Sequence, residues 1–409
     1  MNNDSSQSLR QKLSTLDVDN VYIYVGDAVR RDFLPGSIAN RGLSVTCVTG
    51  SIHTPTSFAT IVSGHHFPTH GVADFKTPLP ENLPNLFDTG KPTSVFINSI
   101  NSKLFNSDPH SDGILSSVLG VSEAPLETIE SASEPFLILE RGPGGHAPYG
   151  DFDGNGWEYF EQRGASDPSR YVQEYKQSVA DDAEWFRGRV ETLRRRGVLD
   201  DTLMIYTSDH GELLGENGLV GHNGPIARPL VDVPCVFIHP SIEPATHYGD
   251  VVRHVDITPT VAAVMNGYSK EGVEQWPGRD LSSEGPADTA PSYYAPEYPV
   301  PGFSNRSVTL SYRSLWDSTG GHVFAKSRLP IRFGALTKQM VSSPSRAFLR
   351  RYWKKNIPRY AQGCYREGAP EFSQDEARRL LNDLEGQDQV KRGTLQVNEE
   401  RLRELGYLE

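Results

Sequence analysis

Short apolar runs separated by polar and glycine-rich stretches recur through the first two thirds of the chain. The first, VYIYVGDAV, begins at Val21, and later ones are TSVFINS (93–99), PFLILERG (135–142), TLMIYTSD (202–209) and VPCVFIHP (233–240). Continuous apolar runs of this length, rich in β-branched and aromatic residues, are typical of strands that are buried on both faces. The pattern therefore predicts a central sheet inside an α/β fold.

One long segment between two of these runs has helical periodicity instead. Its apolar residues recur at spacings of three, four and seven from Val172 to Leu193, and Gly197 follows. This spacing predicts an amphipathic helix that ends at the glycine. Strands that alternate with helices form mostly parallel sheets with helices on both faces, and ligands bind such sheets at the carboxyl ends of the strands.

The pattern changes from about Pro291 onwards. SVTLSYRSLW and HVFAKS flank the turn-rich DSTGG, which predicts an antiparallel hairpin, and FSQDEARRLLNDLE and NEERLRELGYLE predict a helical tail in which Ser373 caps the first helix. We therefore expect a polar leader over residues 1–20, the main α/β domain over 21–290, and a smaller C-terminal antiparallel subdomain with a helical tail over 291–409.

The charge of the chain narrows the classes of partner. The net charge is −12 and the isoelectric point is about 5.5, which argues against a nucleic-acid partner or an anionic membrane surface. No stretch of about 18 consecutive apolar residues is present, and the first 20 residues lack the apolar core of a signal peptide. From these features we expect a soluble cytoplasmic protein with no integral membrane segment.

The segment TSDHGELLGENGLVGHNG is the most informative for chemistry. An apolar run ends at Asp209 and His210, and a carboxylate next to an imidazole is a ligand pair for a transition metal. Asp27 also follows a predicted strand, and the carboxyl ends of parallel strands converge on one crevice. The alternatives are an Asx turn at Asp209, an exposed His210, and a helix-capping role for Asp27.

A second candidate segment, SIHTPTSFATIVSGHHFPTHGV, places hydroxyl groups just before a stretch that is compatible with a helix. A hydroxyl at a helix N-terminus is suited to nucleophilic attack, because the backbone N–H groups there stabilise a transferred anion. Thr54, Thr56 and Ser57 are all candidates, and the alternative is that one of them only caps the helix.

Taken in order, these segments resemble the successive sequence blocks of the sulfatase family, which belongs to the alkaline phosphatase superfamily. The matching blocks run from about residue 21 to residue 266 and comprise VYIYVGDAVRRD, TPTSFATIVSGHHFPTHGV, HAPYG, GVLDDTLMIYTSDHGELLGENGLVGH, VPCVFIHP and HVDITPTVAAVMNG. The resemblance implies the alkaline-phosphatase-like sandwich, a divalent metal ion at the carboxyl edge of the sheet, and an oxygen nucleophile bound to that metal.

The resemblance also implies roles for single residues. Asp27, Asp209 and His210 match metal ligands of the family, and the spacing from Gly64 places Thr54 at the position of the nucleophile, with Ser57 as the second choice. The metal set is therefore expected to be Asp27, Thr54, Asp209 and His210.

Substrate contacts are implied in the same way. His146 resembles the histidine that contacts the ester oxygens, and His222 matches a basic position on the side of the leaving group. We expect Thr54, His146 and His222 to be catalytic, and Arg30 to join the two histidines in binding substrate. His254 leads into an apolar helix and is expected to be structural.

The chain departs from the family pattern at several positions. Most family members that cleave sulfate esters carry Cys-x-Pro-x-Arg, whose cysteine becomes formylglycine, whereas this chain has Thr54 and Phe58 at those two positions. Ala28 replaces a second aspartate that is frequent in calcium-containing members, and Gly142 replaces an acidic ligand of two-metal relatives. These differences favour one metal ion, with Mn²⁺ or Zn²⁺ preferred over Ca²⁺ or Mg²⁺.

We therefore predict a metal-dependent hydrolase that cleaves a phosphate or sulfate ester of a small molecule or glycan by in-line attack of metal-bound Thr54. The alternatives within enzymology are a sulfuric ester hydrolase that works without formylglycine, and a transferase of a phospho-headgroup. An inactive member that only binds an anion is the alternative from a different class.

Overall fold

A seven-stranded sheet forms the centre of the computed structural model. The structure describes residues 8–395 except 89, 92, 101–112, 165–166, 269–275, 301–302, 342–345 and 387–392. The strands of the sheet are β1 (Asn20–Gly26), β2 (Leu43–Val48), β3 (Thr93–Asn98), β4 (Phe136–Gly142), β5 (Thr202–Ser208), β8 (Asp232–Ile238) and β9 (Thr246–Arg253). Their order is β3-β4-β1-β5-β8-β2-β9. β8 is antiparallel to its neighbours β5 and β2, and the other pairs are parallel, so the predicted mostly parallel sheet is confirmed.

Helices cover both faces of this sheet, as predicted. They are α1 (Leu9–Leu13), α2 (Gly36–Ala39), α3 (Thr54–Ser63), α4 (Phe67–His70), α5 (Ile114–Leu119), α6 (Thr128–Ser131), α7 (Gly156–Tyr159), α8 (Pro168–Arg196), α9 (Arg228–Val231) and α10 (Ile257–Val264). Because side chains alternate along a strand, Val21 and Ile23 of β1 pack in a cluster with residues of α3 and α10, while Tyr22 and Tyr24 pack against α8.

The long helix α8 has the ends that its sequence indicates. Asp167 caps its N-terminus by accepting hydrogen bonds from the N–H groups of Ser169 and Arg170, and Gly197 ends it in the left-handed conformation with φ of 75°. The inward side chains Tyr175, Val179 and others along this helix are buried. The predicted helix and its glycine stop are therefore confirmed.

The region that follows residue 290 contains a smaller antiparallel sheet of order β10-β13-β14-β15. Its strands are β10 (Ala290–Tyr294), β13 (Tyr312–Trp316), β14 (Gly320–Ala325) and β15 (Cys364–Gly368), and β11 (Glu297–Val300) pairs with β12 (Phe303–Thr309) beside it. β13 and β14 form the predicted hairpin. The helices of this region are α11 (Leu329–Val341), α12 (Arg346–Ala361) and α13 (Gln374–Glu385), and Ser373 caps α13 as expected. The last predicted helix, NEERLRELGYLE, lies outside the described residues.

The N-terminal segment differs from the expected polar leader where the structure describes it. Leu9 and Leu13 of α1 are fully buried in the main hydrophobic cluster, together with Leu16 and Val18. These four apolar side chains therefore belong to the core of the α/β domain, whereas their polar neighbours in residues 8–19 are mostly exposed. Among the described residues, no helix combines the length and the apolar character that crossing a bilayer requires.

Candidate active site

The carboxyl ends of the parallel strands β1 and β5 bring three potential metal ligands together. Asp27 follows β1, Asp209 and His210 follow β5, and ligand atoms of the three side chains all lie within 4.8 Å of one another. All three side chains are fully buried. The strand ends thus converge as the order of the sheet requires, and they do so beneath the protein surface.

Two carboxylate oxygens in this group lack a hydrogen-bond partner among the described residues. They are Oδ1 of Asp27 and Oδ2 of Asp209. Unpaired buried carboxylate oxygens are costly, because a buried charge is normally compensated by hydrogen bonds, an opposite charge or a metal ion. Burial and the negative charge of Asp27 raise the pKa of Asp209 to about 7. A divalent cation fits this donor set, because it would bind both oxygens and neutralise the repulsion between them.

His210 is oriented as a neutral ligand. Its Nδ1 lies 2.9 Å from the carbonyl oxygen of Gly211, and a carbonyl can only accept, so Nδ1 carries the proton and Nε2 has the lone pair. Burial and the neighbouring His222 lower the pKa of His210 well below its ordinary value. The imidazole therefore presents an unprotonated nitrogen to the two carboxylates.

Thr54 is the first residue of α3 and is fully buried. Its Oγ1 lies 3.2 Å from Nε2 of His210, which places the hydroxyl at the edge of the three-residue donor set. His53 precedes the helix without a side-chain capping hydrogen bond, so no side chain of that residue occupies the N–H groups of the first turn. A hydroxyl, a helix N-terminus and potential metal ligands therefore meet at one point.

Ser57 has a different environment from Thr54. Its Oγ lies 2.6 Å from the backbone oxygen of Asp209 and 3.0 Å from Nδ1 of His254. Thr49 also contacts both Ser57 and His254. These contacts give Ser57 and His254 a role in holding the peptide that carries Asp209.

The backbone around Asp27 is held in a tight turn by the segment that follows β4. Gly145 donates its N–H to the carbonyl oxygen of Asp27 at 2.6 Å, and Gly144 has a φ of +54°. A Cβ at Gly144 would lie 1.9 Å from that same carbonyl oxygen, so only glycine fits there. Ser178 and Asp182 of α8 bind the carbonyl and the N–H of Gly144, respectively. The long helix thereby positions the turn that leads to His146.

His146 lines the same space as the donor set. Its Nδ1 lies 2.6 Å from the carbonyl oxygen of Ala147, which fixes the proton on that nitrogen, and burial lowers its pKa to about 4. The His146 ring lies 6.1 Å from the His222 ring, and the His222 ring lies 4.2 Å from the His210 ring, measured between centroids. The histidines at 146 and 222 therefore lie beside the donor set.

His222 is paired with a carboxylate that sequence reasoning did not identify. Its Nδ1 lies 2.9 Å from Oε2 of Glu212. Glu212 directly precedes β6 (Leu213–Leu214), and His222 directly follows β7 (Val220–Gly221), the strand that pairs with β6. Burial alone would lower the pKa of His222, but the Glu212 carboxylate outweighs it and raises that pKa. Glu212 thus favours the protonated, proton-donating form of His222.

Arg141 is a second residue of the candidate site that sequence reasoning missed. It lies in β4, where its Nε is 2.9 Å from Oδ2 of Asp27 and its Nη2 contacts the same oxygen. Burial would raise the pKa of Asp27, but the positive charge of Arg141 holds that pKa below its ordinary value. The sequence feature that could have identified Arg141 is its position as a charged residue inside an otherwise mostly apolar strand.

Arg30 has contacts other than those expected of a substrate ligand. Its Nε and Nη2 bind the carboxylate of Asp32 at 2.9 and 2.7 Å, and its Nη1 binds Glu216 at 2.5 Å and the carbonyl oxygen of Glu212 at 3.3 Å. All three guanidinium nitrogens are therefore used within the protein. In this structure Arg30 joins the segment after β1 to the loop that leads to His222.

Comparison with known proteins places this geometry in a family. Residues 44–268 match the family model described as Sulfatase. A low-salt glycan biosynthesis sulfotransferase, Agl7, of Haloferax volcanii is 30% identical over 318 residues, which cover 75% of this chain and 74% of that protein. A choline-sulfatase of Rhizobium meliloti is 38% identical over 87 residues, which cover 21% of this chain and 16% of the relative.

Solved structures agree on the fold. A 2-O glycosaminoglycan sulfatase aligns with a TM-score of 0.54 at 14% identity, covering 84% of this chain and 92% of the other. The phosphonate monoester hydrolase of Agrobacterium radiobacter aligns with a TM-score of 0.53 at 15% identity, covering 83% of this chain and 95% of the other. At such low identity, the two alignments show a shared architecture.

Proposed function

Because the chain belongs to the sulfatase family, we propose that it is a metal-dependent enzyme that cleaves a sulfate or phosphate ester with Thr54 as its nucleophile. The observation that carries the proposal is the position of Thr54 Oγ1, 3.2 Å from His210 and next to two buried carboxylates that each have an unpaired oxygen. A threonine that only begins a helix does not require potential metal ligands beside its hydroxyl group.

The nucleophile is an ordinary hydroxyl in this proposal. Cys47 and Cys235 lie in strands of the central sheet and Cys364 lies in β15, so no cysteine of the chain occupies the start of α3. Oγ1 of Thr54 releases its proton to water and forms a bond to phosphorus or sulfur, while the bond to the leaving oxygen breaks and that oxygen receives a proton from His222. A water molecule or an acceptor alcohol then attacks the threonine ester, which regenerates the hydroxyl of Thr54.

Asp27, Asp209 and His210 would hold the divalent ion, with Thr54 beside it. When bound, that ion supplies a lower pKa for the hydroxyl and neutralises charge on the ester oxygens. Two carboxylates and one imidazole favour Mn²⁺ or Zn²⁺ over Ca²⁺ or Mg²⁺, since the harder ions prefer oxygen ligands alone. Elemental analysis of the purified protein tests this assignment, and a metal content below about one ion per ten chains argues against it.

His222 and His146 have separate tasks. Glu212 favours the protonated form of His222, and this ring donates a proton to the leaving oxygen. His146 is neutral in the free protein because burial lowers its pKa to about 4. An anionic ester beside it favours the protonated ring, which then donates to the ester oxygens. The N-terminal N–H groups of α3 add further positive potential at the transferred group.

Transfer to an acceptor is the second candidate reaction. The Haloferax volcanii relative, which matches 75% of this chain, bears the name of a sulfotransferase of glycan biosynthesis, and the proposed nucleophile Thr54 is fully buried. A threonine ester that is shielded from bulk water reacts with a bound alcohol in preference to water. Under this candidate, the acceptor is a hydroxyl group of a glycan.

One set of assays tests the proposal and separates its branches. Matched 4-nitrophenyl sulfate, phosphate and phenylphosphonate esters are incubated with the metal-loaded protein, with and without an oligosaccharide acceptor. Cleavage that depends on metal and Thr54 supports the proposal, and the preferred ester identifies the transferred group. Faster release of nitrophenol together with a modified oligosaccharide favours transfer. If the protein binds metal but turns over none of the esters, the result favours an inactive family member that only binds an anion.

A further inference from the structure

The charge of the chain is distributed very unevenly. Between Ser318 and Arg366, the sequence contains 11 Lys and Arg residues and no Asp or Glu, although the whole chain has a net charge of −12. Charges that are separated by more than about 10 Å are largely screened from each other at moderate ionic strength. The segment therefore carries a local excess of positive charge that the net charge of the whole chain conceals, although Lys326 and Arg359 pair with Glu385 and Glu367 outside it.

The same segment contains two helices that pack on one another, α11 and α12, which we call the basic hairpin (residues 329–341 and 346–361). α11 exposes an apolar stripe at a spacing of four residues, in which Leu329 is 45%, Phe333 36% and Val341 64% exposed. Arg332 and Leu336, on the adjacent side of the same helix, are buried. Helices of globular proteins normally turn such a stripe inward, so this face is arranged for contact with an apolar environment outside the described core.

α12 adds exposed aromatic and cationic side chains. Tyr352 and Trp353 are 38% and 41% exposed, and Arg350, Lys354 and Lys355 are exposed around them. The Nζ atoms of Lys354 and Lys355 lie over the rings of Trp353 and Tyr352 at 5.7 and 5.6 Å from the centroids. Within the described part of the chain, none of the three cations forms a salt bridge.

The basic hairpin is connected to the active site through hydrogen bonds. Asn356 of α12 donates to the carbonyl oxygen of Asn217, and Gln339 of α11 donates to that of Asn223 at 2.5 Å. Tyr360 in turn donates to Gln339 at 2.5 Å. The acceptors Asn217 and Asn223 flank the segment that ends in His222. Whatever binds the hairpin is therefore close to the loop that carries the proposed proton donor.

We propose that the basic hairpin binds the surface of an anionic lipid membrane. Lys and Arg side chains bind anionic headgroups, Trp and Tyr prefer the interface, and aliphatic side chains enter the region of the acyl chains. A dissolved polyanion would use the cations but would leave Leu329 and Val341 in water. If the proposed ester chemistry is correct, on which this last step rests, the substrate or acceptor is an amphiphile at the membrane surface.

Vesicle flotation tests the proposal without requiring any catalysis. The protein is mixed with vesicles of phosphatidylcholine alone or with 30% phosphatidylglycerol, and the bound fraction is measured against lipid concentration. We expect binding only to the anionic vesicles. In the double variant K354E/K355E, the affinity falls at least about tenfold, because each basic residue near such a surface contributes about 1 kcal/mol. The matched control K176E/R195E makes the same charge change on the exposed side of α8 and retains wild-type affinity.

Fluorescence tests the apolar part of the contact. Emission of the wild-type protein shifts to shorter wavelength on binding anionic vesicles, and the shift is lost in Trp353→Phe. The proposal is overturned if the wild-type protein ignores anionic vesicles, if both charge variants bind them equally, or if dextran sulfate binds while vesicles do not. Turnover of a water-soluble aryl ester by K354E/K355E is measured separately from vesicle binding. If Thr54→Ala loses this turnover but still binds vesicles, the membrane proposal and the proposed function are tested independently of each other.

Discussion

Arg141 and Asp27 form an ion pair that is almost completely removed from solvent, and it directs the carboxylate of Asp27. The guanidinium binds Oδ2, with Nε at 2.9 Å, and Oδ1 has no hydrogen-bond partner in the part of the chain that the structure describes. The pair thus determines which oxygen is available to a cation. A carboxylate without this partner could rotate and would also repel Asp209 more strongly.

Replacement of Arg141 by Lys tests this relationship. Lysine keeps the charge but loses the planar fork that holds Oδ2, so we expect metal affinity to fall by roughly 10- to 100-fold. Isothermal titration with Mn²⁺ and Zn²⁺ measures the change. Arg189→Lys is the matched control, because Arg189 forms a partly buried ion pair with Glu140, the residue next to Arg141 in β4. Equal affinities in wild type and Arg141→Lys would contradict the assignment.

Substitution at Thr54 separates the two hydroxyl candidates. Thr54→Ala is expected to lose at least about a thousandfold in kcat, because no other group replaces the attacking oxygen, while Thr54→Ser retains measurable activity. Ser57→Ala removes a hydrogen bond to the Asp209 peptide and is expected to cost about tenfold or less. Rapid quenching followed by mass spectrometry should find the transferred group on the peptide that contains Thr54. A modified Ser57 would refute the assignment of Thr54.

The Glu212–His222 pair makes a prediction about leaving groups and pH. Glu212 raises the pKa of His222, so Glu212→Gln lowers that pKa and the protonated ring is lost at a lower pH. The alkaline limb of the profile of kcat should therefore move to lower pH. Alkyl esters need a proton on the leaving oxygen more than nitrophenyl esters do, and they should lose more activity. Glu216→Gln, in the same loop, is the control, and an identical loss for both ester types in Glu212→Gln would exclude a proton donor at His222.

His66 makes a prediction about stability in acid. It is buried and Nε2 has no partner among the described residues, and burial together with Arg253 and His65 lowers its pKa to about 3. A depressed histidine pKa means that the unfolded chain binds the proton more readily, so stability falls as the pH decreases below 6.5. At pH 5 this costs about 2 kcal/mol.

Urea unfolding of the metal-saturated protein at pH 8 and pH 5 measures this effect. His66→Leu should lose about 2 kcal/mol less between the two pH values than wild type does. His247→Leu replaces an exposed histidine of β9 and serves as the control. Parallel behaviour of wild type and His66→Leu would show that His66 is not the group responsible.

The amino-acid sequence determined those features that depend on local pattern. Apolar runs of five to seven residues are too short for a typical helix and are rich in β-branched residues, so the runs near Asp27 and Asp209 predicted strands that end at the site. The order of motifs also identified the family, and with it Asp27, Thr54, Asp209 and His210, which the structure brings together. Asp167 was missed as the cap of α8 although its position before Pro168 was a local signal.

The tertiary structure decided the partners of these groups. Asp32 and Glu216 bind Arg30, which the sequence analysis expected to bind substrate, and Arg141 lies against Asp27. Likewise, net charge predicted no contact with an anionic membrane, whereas the fold gathers cations and exposed apolar side chains in the basic hairpin. Hydrogen bonds and ion pairs depend on distances of a few ångströms between residues far apart in the chain. Periodicity and composition describe only neighbours and averages, so such partners follow from the packing of the elements.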